Sequence, residues 1–380
     1  MLKYYNNNEL LLPSYDMEVT YRRNIIIEFS DVFKYLIIKS TYKKIVFIDP
    51  AVLANQVQFL DIESIDPNTI LIPTNIYEAN KDFDSLKSVL DVLEANGVGR
   101  RNDIVFAIGG GSLLDTVALA ASIYRRGISI VKVPTTLLGI VDASIGIKTG
   151  INFHGQRNRL GSYHFDYHVI ADPKLMKGLH KSLIRQGLGE IFKIAVIKSR
   201  KLFDLLCSNK EKLENLEFYE STLGISILNE SIKLMLEELH ENPREDNLLR
   251  CVDYGHSFSP LVEMESLRRT GFKALSHGYA VAYDCILTAT IAYKRKLLNE
   301  SSYLMIVNLF NYFDFDFNND IYNDTNLLWA SFIEMTKHRG GNQNLPIPVE
   351  IGNYSFLQDV TFEEMENSAR SLRLLLNKSI

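Results

Sequence analysis

The sequence predicts a chain in two parts, an α/β domain over residues 1–180 and a mostly helical domain over residues 181–380. Three observations lead there. At 380 residues the chain is longer than one hydrophobic core usually serves, because cores stop growing near about 250–300 residues. In the first half, short β-rich apolar runs alternate with amphipathic stretches, the pattern of a sheet built by strand–helix–strand crossovers. Beyond residue 180 the texture changes to long segments of helical period with few β-branched runs.

The elements follow in order. Residues 44–49 (KIVFID) and 69–73 (TILIP) are strand-like runs ended by turn residues. Residues 82–97 place Leu86, Val89, Leu90 and Leu93 at helical spacing, with Gly97 where a C-cap falls. Residues 103–108 (DIVFAI) are continuously apolar, as a strand buried on both faces of a parallel sheet must be. Three glycines and a small-residue helix follow, and residues 128–133 (ISIVKV) give the next strand. In the second half, residues 180–199, 218–239 and 247–266 read as long helices, as do segments near 277–298, 301–312, 325–338 and 362–378.

Composition narrows the function classes. With 46% hydrophobic and 23% charged residues, the chain is neither disordered, collagen-like nor a coiled coil. A net charge of −5 and a pI near 6.0 argue against a nucleic-acid binder. Cys207, Cys251 and Cys285 are odd in number and lack CxxC spacing, so a reducing compartment, the cytoplasm, is expected. Asn, Glu and Asp interrupt the first apolar residues, which excludes a signal-peptide core, and no run of about 18 apolar residues offers a membrane span.

The turn FAIGGGSLLD sets Gly109, Gly110 and Gly111 between a strand and a helix. Glycine removes the Cβ that would block a phosphate, and the helix start adds N–H groups and a positive dipole end. In an open α/β sheet a nucleotide pyrophosphate binds at such a place, although the spacing is not GxGxxG. A tight strand–helix turn without a ligand is the plainer alternative. Asp49, ending its strand, suits either a ribose hydroxyl or the cap of the next turn.

Glu190, His256 and His277 interrupt apolar sequence of helical period. A carboxylate in such a setting is costly unless paired or bound to a cation, and two imidazoles with one carboxylate form a common catalytic zinc set. No local motif joins them, so a satisfied buried Glu with two packing histidines stays open. Lys193 is three residues beyond Glu190 and shares its helical face. His154, His164, His168, His180 and His240 look ordinary, while His338 opens a glycine-rich loop as a substrate contact or a helix-end cation. Lys148, Arg157, Asn158 and Arg159 fall in glycine-rich loops, as an anion site or as solvated charge. Arg126 reads only as a charge complementing a helix C-terminus.

Together these pieces resemble the sugar phosphate cyclase family, whose best-known member is 3-dehydroquinate synthase. The family's motifs occur here in order: Gly109–Gly111, Arg126–Gly127, Pro134–Leu138, Asp142–Ser144, Lys148–Asn152, Arg157–Asn158, Gly187–Lys193, GHSF at 255–258 and SHGYAV at 276–281. The resemblance implies an amino-terminal dinucleotide-binding domain with NAD on Gly110, Gly111, Ser112, Asp115, Thr135 and Thr136. Asp49, Glu78 and Lys81 would hold the other end of NAD, with Arg157 near it. It implies zinc, or another divalent metal such as cobalt, on Glu190, His256 and His277. Asp142, Lys148, Asn158, Lys193 and Glu245 would serve the substrate, and Arg126 would reach across a homodimer interface.

Four departures from 3-dehydroquinate synthase follow from the same comparison. Asp253 replaces an Asn three residues before the first metal histidine, Pro260 replaces a second histidine, Met235 replaces a lysine, and Arg250 lies one position off the expected arginine. Both Asp253 and Pro260 are expected on the His256 face of a helix. A site without those cations does not suit a substrate carboxylate. The pattern resembles instead the sedoheptulose 7-phosphate cyclases, and at Leu239, Asp253 and His338 the 2-epi-5-epi-valiolone synthase group more than the desmethyl-4-deoxygadusol synthases. The implied reaction is transient oxidation by NAD, phosphate elimination, reduction and intramolecular aldol closure. Alternatives are those neighbouring synthases, a metal-dependent polyol dehydrogenase with similar glycine and PTT turns, and a non-catalytic sugar-phosphate binder.

Overall fold

The computed structural model describes residues 15–17, 23–29, 31–56, 65–164, 167–315 and 319–376. Most of the amino-terminal stretch read for a signal peptide lies outside the described residues. The chain divides into two compact units, residues 1–180 with 219–222, and residues 181–218 with 223–380.

The first unit is a seven-stranded sheet with helices. Its elements are β1 (Tyr15–Met17), β2 (Arg23–Phe29), α1 (Phe33–Ile37), β3 (Lys44–Ile48), α2 (Pro50–Gln56), β4 (Thr69–Pro73), α3 (Phe83–Ala95), β5 (Ile104–Gly109), α4 (Gly111–Ile123) and β6 (Ile130–Pro134). A separate hairpin follows, β7 (Lys148–Phe153) and β8 (Gln156–Tyr163), and then β9 (Tyr167–Ala171). The sheet order is β1-β2-β9-β6-β5-β3-β4, parallel except for β1. Val46, Ile48, Phe106, Ile108, Val131, Val133 and Ile170 pack into one core with Val32, Leu36, Val52 and Leu175. Helix α3 forms as its spacing predicts: Leu86, Val89 and Leu93 are buried, and Asp82 caps the first turn by accepting from Ser85 N.

Lys148, Arg157, Asn158 and Arg159 are not in loops, as the glycine content suggested, but on the β7–β8 hairpin. The two-residue turn His154–Gly155, with φ of +49° and +70°, is the left-handed kind that matches strand twist. Polar, alternately exposed residues in β8 leave almost no apolar periodicity to betray a strand.

The second unit is mostly helical. Its elements are α5 (Lys181–Lys198), α6 (Arg200–Asn209), α7 (Thr222–Glu241), α8 (Ser259–Thr270), α9 (His277–Lys294), α10 (Glu300–Phe313), α11 (Thr325–His338), the hairpin β10 (Leu345–Glu350) and β11 (Asn353–Leu357), and α12 (Phe362–Leu376). Residues 187–197 of α5 and 280–292 of α9 are buried around the whole helix circumference, which marks these two as central helices. The long helix expected over 247–266 is broken. A short 3-10 turn (Cys251–Asp253) is followed by Gly255 at φ +83°, and α8 starts only at Ser259. His256 and Asp253 therefore lie in a turn before α8, and Pro260 occupies its first turn. No shared helical face carries all three. Among the described residues no helix is long and apolar enough to cross a membrane, and all three cysteines are free thiols.

Candidate active site

In the first unit, the parallel register lines up three strand ends. Ile48 pairs with Ile108 and Gly109 with Pro134, so Asp49 follows beside Gly109, and Thr135 beside Gly110, at the carboxyl edge of the sheet, where open α/β sheets bind ligands. Asp49 N donates to Ile108 O (2.9 Å) and Thr135 N to Gly109 O (3.0 Å). Gly110 is the N-cap of α4 without a side-chain cap, which leaves the first N–H groups of a 13-residue helix for an anion. Asp49 Oδ1 also accepts from Ala51 N (2.8 Å), the capping role its position allowed. Thr136 Oγ1 accepts from Gly139 N (3.0 Å) at the start of a π-helical turn, Gly139–Ala143, that carries the half-buried Asp142.

A polar network joins the remaining residues expected at the cofactor. Lys81 is 2% exposed and donates to Asp115 Oδ2 (2.6 Å) and Asn158 Oδ1 (2.7 Å). Glu78 accepts from Ser112 Oγ (2.9 Å) and Asn152 Nδ2 (2.9 Å), with Arg157 Nε at 3.7 Å. Burial alone would raise the Glu78 pKa, but Lys81 and Arg157 hold it down at about 2, so it is a fixed acceptor at neutral pH. Asn158 sits at φ +48° and donates its N–H to Asn152 Oδ1 (2.9 Å). Lys148 begins β7 and is exposed. The glycine turn, helix start and acceptor network suit a dinucleotide.

In the second unit, Glu190, His256 and His277 each offer a ligand atom, all within 4.8 Å of one another. Helix α5 brings Glu190, the turn before α8 brings His256, and His277 is the first residue of α9. The convergence depends on backbone contact. A Cβ on Gly189 would lie 2.1 Å from Gly278 O, and one on Gly278 would lie 1.9 Å from Gln186 O. Only glycine at both positions lets α5 and α9 touch, and each glycine adjoins a ligand.

Electrostatics prepare these ligands. Burial would raise the Glu190 pKa, but the Lys193 ammonium (Nζ 2.6 Å from Oε2) holds it well below the usual carboxylate range. Neither Glu190 oxygen has a hydrogen bond of regular geometry; Oε1 lies 3.1 Å from His277 Nε2 and 3.7 Å from His256 Nε2. Burial, then the Lys193 charge, pushes the His256 pKa down to about 3, against the pull of Glu190. The imidazole is therefore neutral near pH 7, with a lone pair for a metal. His277 Nδ1 lies 3.0 and 3.1 Å from the Glu263 oxygens. An ionised carboxylate only accepts, so Nδ1 carries the hydrogen and Nε2 keeps its lone pair toward Glu190. This donor set fits zinc or a similar divalent ion.

Asp253 is buried and paired on both oxygens, Oδ1 with Arg250 and Oδ2 with Arg339 Nε (3.3 Å). Burial opposes its ionisation, but the two guanidiniums outweigh it and lower its pKa. Glu245, at φ +59°, pairs with the same Arg250. His338 ends α11, half-exposed, 3.5 Å from Glu334. Arg126 is exposed at φ +67°, between Arg125 at +49° and Gly127 at +109°.

A family model described as 3-dehydroquinate synthase N-terminal matches residues 71–186, and one described as 3-dehydroquinate synthase C-terminal matches residues 187–338. The chain belongs to the 3-dehydroquinate synthase family. Within that family it is 39% identical over 313 residues to a 2-epi-5-epi-valiolone synthase of Streptomyces albus, covering 81% of this chain and 74% of that protein. It is 32% identical over 302 residues to a demethyl-4-deoxygadusol synthase of Trichormus variabilis, covering 78% and 72%. The solved structure of ValA, a 2-epi-5-epi-valiolone synthase from Streptomyces hygroscopicus subsp. jinggangensis with NAD+ and Zn2+ bound, matches with a TM-score of 0.85 at 33% identity, over 94% of this chain and 98% of that one.

Three residues of this 3-dehydroquinate synthase family member escaped the sequence reading, Glu263, Asp284 and Arg339, and Asn152 was named there only as the end of a motif. Asp284 Oδ2 accepts from the N–H groups of Ser257 (2.7 Å), Phe258 (2.5 Å) and Ser259 (3.0 Å), which caps α8 and fixes the turn holding His256. The signal that exposed Glu190, a carboxylate inside an apolar helix, was equally present at Asp284 in α9. Replacing Glu263 by Ala removes the partner that orients His277. We expect metal affinity to fall about 10- to 100-fold, the usual cost of losing such a partner, as read by zinc competition against a chromogenic chelator.

Proposed function

We propose that this chain is a sugar phosphate cyclase that converts sedoheptulose 7-phosphate to 2-epi-5-epi-valiolone with release of phosphate. The reaction class is transient oxidation by NAD, phosphate elimination, reduction and intramolecular aldol closure. One observation carries the choice of substrate: Asp253, an ionised carboxylate compensated by Arg250 and Arg339, stands where a substrate carboxylate would need an uncommitted cation. Met235 and Pro260, at positions where the resemblance to 3-dehydroquinate synthase leads one to expect a lysine and a histidine, bring no charge. The similarity to 2-epi-5-epi-valiolone synthases supports the same reading.

When bound, NAD supplies a reversible hydride acceptor and the metal a Lewis acid for a substrate oxygen. The chain's own groups do the rest. Gly110, Gly111, Ser112, Asp115, Thr135 and Thr136 hold the cofactor, with Asp49, Glu78, Lys81 and Arg157 fixing its far end. In the first unit, Lys148 and Asn158 are the proposed phosphate contacts and Asp142 a hydroxyl acceptor; in the second unit, Lys193 is a proposed phosphate contact and Glu245, Asp253 and His338 are hydroxyl acceptors. We place the protein in the cytoplasm as a homodimer, with the exposed Arg126 reaching the partner copy.

Purified protein given sedoheptulose 7-phosphate, NAD+ and Zn2+ should release one phosphate per sugar and form a cyclitol identifiable by NMR, with no net NADH. Net NADH on a polyol would identify a dehydrogenase instead. Turnover of the carboxylated heptulosonate phosphate alone would identify a 3-dehydroquinate synthase.

A further inference from the structure

Arg339 is the first residue beyond α11, next to His338, and neither the metal set nor the proposed substrate contacts employ it. Its guanidinium is 2% exposed. Nε donates to Asp253 Oδ2 (3.3 Å), one terminal nitrogen to Ser257 Oγ (3.1 Å) and the other to Gln343 O (3.0 Å). A buried guanidinium persists where a partner charge and hydrogen bonds replace its hydration, and here both are present. Two of its three acceptors, Asp253 and Ser257, bracket His256 in the chain. Asp253 O also accepts from His256 N (2.9 Å). The turn bearing the metal ligand is thus tied from α9 by Asp284 and from the end of α11 by Arg339.

We infer that Arg339 is a positioning residue that fixes the Asp253–Ser257 turn, and through it both the His256 imidazole and the Asp253 carboxylate. Asp253 is held by Arg339 at one oxygen and Arg250 at the other, and its charge is compensated inside the protein. It therefore meets substrate as an oriented acceptor for neutral hydroxyl groups. The part of the inference that concerns substrate rests on the function proposed above; the part that concerns the metal does not.

The experiment uses the full chain with Arg339→Met and Arg339→Lys, each alone and combined with Asp253→Asn. Metal-free protein is titrated with Co2+ while its d–d absorption is recorded. Arg339→Met should bind Co2+ about 10-fold more weakly with an altered band, and Arg339→Lys should recover part of both. Phosphate release from sedoheptulose 7-phosphate should fall about 100-fold in kcat/KM for Arg339→Met, but less than about 10-fold when Asp253→Asn is already present, because one tie is then already cut. An unchanged cobalt affinity and spectrum would overturn the inference whatever the activity, as would an equal kinetic factor in both backgrounds. If the unaltered protein releases no phosphate, the proposed function fails and the cobalt titration alone decides. If Arg339→Met does not fold, Arg339→Lys yields the same readings with smaller factors.

Discussion

Glu190→Gln should leave a folded protein that carries almost no metal and releases phosphate at least about 1,000-fold more slowly. The factor follows from the several kcal/mol that a Lewis-acidic ion contributes to charge stabilisation, at about 1.4 kcal/mol per tenfold in rate. Glutamine keeps the shape of the side chain and loses the charge that His256, His277 and Lys193 all face. The change also strands the Lys193 ammonium, 2% exposed in the centre of α5, so the single variant should lose thermal stability as well. Adding Lys193→Met removes the stranded charge. Stability should then recover while metal content stays near zero. Zinc per chain by atomic emission, melting temperature and phosphate release read the three effects separately, and a full complement of zinc in Glu190→Gln would refute the assigned ligand set.

Gly278→Ala should be as damaging, for a reason of shape alone. The added methyl would sit 1.9 Å from Gln186 O and 2.5 Å from its carbonyl carbon. Backbone cannot rotate aside as a side chain does, so α5 and α9 must separate. We expect about 3 kcal/mol of destabilisation, the upper part of the range for overpacking, and a metal affinity at least tenfold weaker, since His277 moves with α9 while Glu190 stays with α5. Gly155→Ala, in the left-handed turn of the β7–β8 hairpin, where nothing lies within 4 Å and φ is +70°, supplies the contrast. Its cost should be only that of a left-handed alanine, about 1 kcal/mol, with zinc retained. Thermal melts and zinc content of the two variants make the comparison, and equal losses would show that the close helix approach is not what assembles the site.

Much of the fold was legible because burial writes itself into periodicity. The continuous apolar runs that became β3, β5 and β6 and the spacing of α3 needed no tertiary information. The β7–β8 hairpin did not announce itself, because its residues are neither buried enough nor regular enough to alternate. The hairpin β10–β11 was hidden differently: Pro346 and Pro348 within its first strand argue against a strand unless it lies at an edge. In the site, Glu190 was visible as an acid in an apolar helix, yet its partnership with His256 and His277 came from resemblance, since nothing local joins residues so far apart in sequence. Reading 247–266 as one helix failed at Gly255, because the force that restarts the chain at Ser259 comes from Asp284, a residue in another element. Arg339 stayed hidden beside a more conspicuous histidine.

The three proposed metal ligands also make this fold a sensor of supply. They come from distant segments, so the unfolded chain presents no preformed site, and any ion bound favours the native state by mass action. At a free metal concentration about a thousand times the dissociation constant, that linkage amounts to about 4 kcal/mol, a large share of an ordinary domain's margin. A cell starved of the ion would hold a larger unfolded fraction open to proteases, and the abundance of the protein would fall along with its activity. Metal scarcity would thus silence the protein by turnover as well as by chemistry.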